Sequence, residues 1–187
     1  MKDIVFITGN QHKVAYLQKW LSVPITHQSV DLEELQSLDL LEVVEHKAKS
    51  AYAIVQKPVL VEDISLQFHA LGRLPGTFIK WFLQELGTDG LCDLVRGYDN
   101  KDATARIMYG LYDGETFLTF DGETTGKITD APSDTRANDW NTALTWNSLF
   151  MPDGSDKVFS EMTDEELKPF SHRARAIVKL EKYLNEL

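Results

Sequence analysis

The chain has 187 residues, 43% hydrophobic and 26% charged, which is typical of one globular domain or of one domain with two lobes. Its formal net charge of −10 argues against broad nucleic-acid binding and against contact with an anionic membrane surface. A single cysteine excludes an internal disulfide and fits a reducing compartment, and no apolar run approaches the roughly 20 residues that span a bilayer.

The N-terminal segment predicts a strand, a tight turn and a helix. Residues 4–7 form a short apolar run rich in β-branched side chains, and helical spacing of apolar residues begins at Val14. Residues 8–10 (Thr-Gly-Asn) lie between them, and Gly and Asn tolerate the positive φ of a tight turn. A helix N-terminus leaves backbone N–H groups that can hold an anion, and Lys13 adds a charge there. Such corners are common, so this segment alone only suggests phosphate binding.

The rest of the chain alternates between predicted helices and strands. From periodicity we predict helices at Leu40–Val55, Phe78–Leu86 and Gly90–Val95, and strands at Pro58–Val61, Ala103–Tyr112 and Thr116–Ile128. Asp113-Gly114 is a hairpin signal between the last two strands. A final helix is predicted after Ser171, a plausible N-cap, with an apolar stripe at Ala174, Ile177, Val178 and Leu184. This order predicts an α/β fold with one mixed sheet, flanking helices and a cleft between two lobes.

Two acidic pairs are candidates for metal or water chemistry. Glu62 and Asp63 follow an apolar strand, at the sheet edge where α/β proteins bind ligands. Neighbouring strand residues point to opposite faces, so one carboxylate can hold a metal while the other orients water. On this dipeptide alone, a pair that only caps the next turn is the favoured interpretation. Glu33-Glu34 is read either as a ligand pair or as part of a solvated loop.

Cations and one aromatic residue add to the candidates. Lys47 and Lys49 are two positions apart on a helix, so only one of them can face a ligand. Residues 171–173 (Ser-His-Arg) open the final helix and can donate hydrogen bonds to a carbonyl or a phosphate. Adjacent Ser and His do not form a hydrolase dyad easily. Trp146 lies in a polar stretch, where stacking on a base and packing in the interior are both open.

Together these motifs resemble the Ham1 family, the inosine triphosphate pyrophosphatases that clear unusual purine nucleotides. The resemblance rests on residues 8–13, 58–63, 70–83, 122–128, 146–154 and 171–173. These matches are collinear from residue 4 to about residue 180, so they cover nearly the whole chain.

The resemblance implies an elongated, two-lobed single domain over residues 1–187 with a central nucleotide-binding cleft, usually as a homodimer. The reducing compartment indicated by the single cysteine corresponds to an expected cytoplasmic location. It implies Mg²⁺-dependent hydrolysis of ITP, dITP or XTP between the α and β phosphates, giving a monophosphate and pyrophosphate. Neither nucleic acid nor a membrane is an expected partner. Mg²⁺ is a hard cation that bridges phosphate oxygens and carboxylates.

The resemblance also assigns roles to individual residues. It gives Glu34 and Asp63 to the metal, Asp63 with Glu62 to the attacking water, and Thr8, Asn10, Lys13 and Lys47 to the phosphates. It places Trp146 and Phe150 beside the base and His172 and Arg173 on the purine O6, with Asn147, Lys168 and Ser171 completing the nucleotide-binding set. Two donors aimed at O6 would reject adenine, because its 6-amino group is itself a donor.

Three positions depart from the family pattern. Tyr16 stands where a Glu is usual, three residues after Lys13, and Asn147 stands where an Asp is usual. Leu167 replaces a Lys, and the adjacent Lys168 points about 100° further round a helix. These departures leave two alternatives open, namely the same chemistry on a different or modified nucleotide, and a catalytically weak nucleotide-binding relative.

Overall fold

The structure is a computed structural model that describes residues 3–137 and 145–186. The first third contains β1 (Val5–Ile7), α1 (Gln11–Trp20), β2 (Thr26–Gln28), α2 (Leu40–Val55) and β3 (Val59–Phe68). It is followed by β4 (Pro75–Gly76), α3 (Ile79–Asp93), β5 (Asp102–Tyr112), β6 (Phe117–Ile128), β7 (Phe150–Pro152), α4 (Asp164–Leu167) and α5 (His172–Asn185).

The described strands form one seven-stranded mixed sheet. Its order is β2-β1-β3-β5-β6-β7, and β4 pairs with β3 outside this path. β1 is parallel to both of its neighbours, with Val5 opposite Thr26 on β2 and opposite Val59 on β3. β6 and β7 are antiparallel. The predicted mixed α/β sheet with flanking helices is therefore confirmed.

The described residues fall into two compact units, and the first holds the chain up to Asp63, Ile107–Gly122 and the chain from Arg173 onward. Its core packs α2 on β1 and β3. The fully buried Ala48 and Ala51 of α2 let the helix lie close to Val59 and Val61 of β3. Because these strand residues alternate with Leu60 and Glu62, the latter two point to the other face of the sheet.

The second unit holds Ile64–Arg106 and Glu123–His172. Its core includes the fully buried Leu66, Phe68 and Phe150. Gly126 lets β7 approach β6, because a Cβ at this position would lie 2.3 Å from the carbonyl oxygen of Met151. Among the described helices of the whole chain, none is both long and apolar enough to cross a membrane.

The hairpin between β5 and β6 forms where the Asp-Gly pair predicts it. The Asp113 carboxylate accepts hydrogen bonds from the backbone N–H groups of Glu115 and Thr116, at 3.1 and 2.9 Å. Gly114 has φ of 101°, a conformation that favours glycine. The prediction of the helix Leu40–Val55 is also confirmed to the residue.

The two helices predicted between Phe78 and Val95 are confirmed, because α3 is broken by a kink at the non-helical Gly87, whose φ is 67°. Two other local predictions were wrong. β3 continues to Phe68, so Glu62 and Asp63 lie in the middle of the strand rather than at its end. Val178 is 66% exposed, so it does not belong to the buried stripe of α5.

Candidate active site

Glu62 is the centre of a buried ion-pair network in the first unit. Its side chain is only 2% exposed, and Oε1 lies 2.8 Å from Nζ of Lys13 on α1. Oε2 accepts a hydrogen bond from Nη1 of Arg173 on α5 at 2.5 Å. Burial raises the pKa of Glu62, but the charges of Arg173 and Lys13 outweigh burial and lower the pKa to about 2. Glu62 is therefore a carboxylate at neutral pH, held between two cations.

Arg173 is held by three different groups. Besides Glu62, its Nη1 donates to the Tyr109 hydroxyl at 3.3 Å. Its guanidinium carbon lies 5.4 Å from the centre of the Tyr16 ring, in a cation–π contact. Tyr109 is fully buried, and its burial and the nearby Glu62 charge raise the pKa of its hydroxyl well above the ordinary value. Tyr109 therefore stays protonated at neutral pH.

Asp63 faces the other side of β3 and pairs with a different cation. Nζ of Lys47 on α2 donates to Asp63 Oδ2 at 3.0 Å and to the backbone oxygen of Glu62 at 3.1 Å. The Lys47 and Asp63 side chains are 24% and 25% exposed, so solvent reaches this pair. Lys49 pairs instead with Glu45 on the exposed surface of α2. The predictions of opposite-facing carboxylates and of one inward-facing lysine are both confirmed.

The Thr-Gly-Asn turn before α1 is built differently from its prediction. Asn10 has an extended backbone, with φ of −96°, and is the N-cap of α1. Its side-chain oxygen accepts from the backbone N–H groups of His12 and Lys13, at 3.0 and 3.4 Å. Thr8 Oγ1 accepts from the Asn10 backbone N–H at 3.1 Å. Two N–H groups predicted to be open to an anion are thus used by the cap, because an Asn side chain satisfies helix-terminal donors well.

Glu34 and Asp63, the residues that the resemblance assigns to a metal, have the oxygen-donor chemistry that Mg²⁺ prefers. Glu34 lies exposed in the irregular segment between β2 and α2, and Asp63 is partly exposed on β3. Within residues 3–137 and 145–186, no group of three or more His, Cys, Asp and Glu side chains forms a metal site. Mg²⁺ usually needs only one or two protein carboxylates, since substrate phosphates and waters supply the other ligands. The chemistry and exposure of these two carboxylates fit that binding mode.

The residues predicted to lie beside the base form an aromatic cluster in the second unit. Trp146 is buried, with its ring centroid 5.9 Å from Phe150 at 88° and 5.8 Å from His172 at 34°. The His172 ring also stacks on Phe159, at 5.9 Å and 25°. Of the two alternatives for Trp146, the structure shows interior packing. Phe150 is fully buried and contacts Trp146 edge-on, so it supports the ring of Trp146 and presents no face to solvent.

The remaining predicted residues are distributed as follows. Lys168 is exposed directly after α4, and Leu167 packs on the apolar core of the second unit. Asn147 is half-buried beside Trp146, and Ser171 is buried. The Ser-His-Arg run is split between the two units, since His172 belongs to the second unit and Arg173 to the first.

Tyr109 was not predicted from the sequence, and Tyr16 was given no role. Tyr109 lies among the consecutive buried residues of β5, where a buried hydroxyl needs a hydrogen-bond partner. That partner, Arg173, is 64 positions away in the chain. A buried strand tyrosine is a weak signal for a polar site, but the sequence does contain it.

Comparison with known proteins places the chain in a family. The profile described as the Ham1 family matches residues 4–183. The chain belongs to the Ham1 family. Among curated relatives of this Ham1 protein, the inosine triphosphate pyrophosphatase of Schizosaccharomyces pombe is 37% identical over 98% of this chain and 96% of its own. Inosine triphosphate pyrophosphatase 1 of Trypanosoma cruzi is 38% identical over 95% of this chain and 89% of its own.

Solved Ham1 structures share the fold. The HAM1 protein of Coxiella burnetii has a TM-score of 0.85 and 22% identity, with all of both chains covered. The Ham1 protein of Staphylococcus aureus has a TM-score of 0.82 and 19% identity, over 98% of each chain. At these identities the likeness supports the architecture alone.

Proposed function

We propose that this Ham1 protein hydrolyses ITP, dITP and XTP to the monophosphate and pyrophosphate, with Mg²⁺ as the metal. The names of curated relatives 37–38% identical over nearly the full chain support the reaction class. The observation that carries the proposal is the cluster of Lys13, Lys47, Arg173, Glu62 and Asp63 in the first unit.

The charge of this cluster suits a triphosphate. The cluster contains three cationic side chains and two carboxylates, so its net charge is +1, whereas the formal net charge of the whole chain is −10. Local cations are what an acidic protein needs to attract a polyanion. Lys13 and Lys47 already lie on the two faces of β3, and each can transfer a hydrogen bond from its carboxylate to a phosphate oxygen.

The two carboxylates have different roles in the proposed mechanism. Asp63 is partly exposed, so it can orient the attacking water and accept its proton. Glu62 is enclosed by Lys13, Arg173 and Tyr109, and its low pKa makes it a poor proton acceptor. We therefore assign Glu62 to holding Lys13 rather than to the water. Glu34 and Asp63 would hold Mg²⁺, which would supply charge stabilisation for the phosphoryl group and the leaving pyrophosphate.

The proposal is tested by measuring pyrophosphate release from ITP, dITP, XTP, GTP, ATP and modified purine triphosphates in the presence of Mg²⁺. We expect the highest kcat/KM for ITP, dITP and XTP. A preference for another nucleotide would favour the first alternative. Binding of ITP without release of pyrophosphate from any member of the panel would favour a weak nucleotide-binding relative.

Asn147 provides a prediction about base selectivity. An amide both donates and accepts hydrogen bonds, whereas a carboxylate only accepts and so suits the N1–H of hypoxanthine. We expect Asn147→Asp to raise the ITP-to-ATP ratio of kcat/KM by about tenfold, the effect of one charge-assisted hydrogen bond. Asn100→Asp adds the same charge to an exposed loop of the same unit and serves as the control. Unchanged ratios in Asn147→Asp would remove this residue from base recognition.

Three further expectations stay predictions. They are the central cleft of a two-lobed single domain, the homodimer and the cytoplasmic location. The homodimer is tested by measuring the mass of the protein in solution.

A further inference from the structure

Tyr16 lies on the face of α1 that carries Lys13. The two residues are three positions apart, so their side chains are neighbours on the helix surface. The Tyr16 ring is buried, with Arg173 over it at 5.4 Å and Trp20 at 6.2 Å between ring centroids. The aromatic ring thus contacts the cation that holds Oε2 of Glu62, while Lys13 from the same helix holds Oε1.

An aromatic ring holds a cation in a different way from a carboxylate. The ring attracts the guanidinium through its quadrupole and carries no net charge, so the positive charge of Arg173 is kept. An acidic side chain at position 16 would bring a third carboxylate to three cations and cancel the net charge of +1 that Lys13, Lys47, Arg173, Glu62 and Asp63 share. An acidic residue at position 16 would therefore differ from Tyr16 by one full negative charge within contact distance of Arg173.

We propose that Tyr16 is a positioning residue whose ring seats Arg173 against Glu62 and Tyr109 without neutralising it. The cluster thereby keeps a net positive charge for the triphosphate. This inference rests on the proposed function and deepens it by naming what sets the charge of the phosphate site.

Seating Arg173 also fixes Lys13. Glu62 is shared by two cations, one on each carboxylate oxygen. When the ring holds the guanidinium plane, Nη1 reaches Glu62 and Tyr109 together, at 2.5 and 3.3 Å. Without the ring, Arg173 has more rotamers open to it and Glu62 loses a fixed partner. Tyr16 then affects Lys13 through Arg173 and Glu62, although it contacts no phosphate itself.

Three substitutions separate the ring from the charge. Tyr16→Phe keeps the ring, and we expect kcat/KM for ITP within twofold of wild type. Tyr16→Gln removes the ring without adding charge, and we expect KM to rise roughly threefold to thirtyfold, the range of a cation–π contact. Tyr16→Glu adds a charge, and we expect a further rise in KM together with a weaker dependence of kcat/KM on ionic strength. A purely structural role would leave that salt dependence unchanged.

The matched control is Tyr183, which packs on Phe120 at 5.4 Å in the same unit. Tyr183→Gln and Tyr183→Glu make the same chemical changes away from the cluster, and we expect the salt dependence to stay that of wild type. The inference is overturned if Tyr16→Glu and Tyr183→Glu have the same salt dependence. It is also overturned if Tyr16→Phe loses as much activity as Tyr16→Gln.

A second measurement does not need catalysis and separates failure of the inference from failure of the proposed function. Urea unfolding of wild type, Tyr16→Leu, Arg173→Met and the double variant gives the coupling between the two side chains. We expect the unfolding equilibrium constants to show a coupling of roughly threefold to thirtyfold. Additive effects of the two substitutions would overturn the proposal that Tyr16 positions Arg173, whichever nucleotide the enzyme hydrolyses.

Discussion

Asp63→Asn is expected to lower kcat for ITP hydrolysis by about a thousandfold, within the usual contribution of a positioned acid or base. Asp63 is the partly exposed carboxylate of the cluster, and its Oδ2 accepts a hydrogen bond from Lys47 at 3.0 Å. Asn keeps the size of the side chain and an oxygen for Lys47, but it loses the negative charge that attracts a divalent cation. We therefore also expect the Mg²⁺ concentration for half-maximal rate to rise.

The experiment is a steady-state measurement at saturating ITP over a Mg²⁺ titration. Asp121→Asn is a close control, because Asp121 also pairs with a lysine of the same unit, Lys179, at 3.0 Å. That variant is expected to keep the wild-type kcat. Recovery of more than a tenth of the wild-type kcat by Asp63→Asn at high Mg²⁺ would remove Asp63 from the water-positioning role.

Glu62→Gln is expected to lower the free energy of unfolding by about 3 kcal/mol at pH 7. Removing the carboxylate leaves Lys13 and Arg173 beside a neutral amide in a buried position, and breaking a buried ion pair typically costs about 3–5 kcal/mol. The pKa of Glu62 is lowered from the ordinary 4.5 to about 2. Since each pKa unit corresponds to roughly 1.4 kcal/mol, this shift indicates a loss of unfolding free energy of similar size.

The pH dependence follows from the sign of that shift. Because the folded-state pKa of Glu62 lies below its unfolded value, the carboxylate contributes its full stability above about pH 4.5 and loses it as the pH falls towards 2. The stability gap between wild type and Glu62→Gln should therefore be constant from pH 7 to 5 and shrink below that.

Urea unfolding at pH 7, 5 and 3 measures this gap. Glu166 provides a control, because its hydrogen bond from Lys157 also lowers its pKa to about 2, but its side chain lies exposed on the surface. Glu166→Gln is expected to change the unfolding free energy far less, since solvent screens an exposed pair. A gap between wild type and Glu62→Gln that stays the same size at pH 3 would contradict the role given to the Glu62 charge.

Local patterns were sufficient to predict much of the fold. The apolar spacing of α2 predicts its bounds, and Asp113-Gly114 predicts the hairpin, because both signals act within a few residues. The continuation of β3 through Glu62 and Asp63 was not predictable in this way. Two carboxylates are stable in mid-strand only because cations reach them from three helices, and Arg173 is 111 positions from Glu62 in the chain.

The candidate site was predictable in its residue types and less so in its contacts. The family resemblance points to Lys13, Lys47, Glu62 and Asp63, and the structure brings them together. It gives no indication of which lysine pairs with which carboxylate, since that depends on the face of β3 each residue occupies. The contact of Tyr16 with Arg173 was equally hidden, because a departure from a family pattern does not specify the new partner.

We propose that the cation–carboxylate cluster around β3 serves triphosphate hydrolysis at the α–β bond. This function is tested by ³¹P NMR of ITP incubated with wild-type protein and Mg²⁺. We predict that IMP and pyrophosphate appear in equal amounts and that Asp63→Asn forms both about a thousandfold more slowly. Orthophosphate with IDP as the products, or no turnover of any purine triphosphate, would contradict the claim.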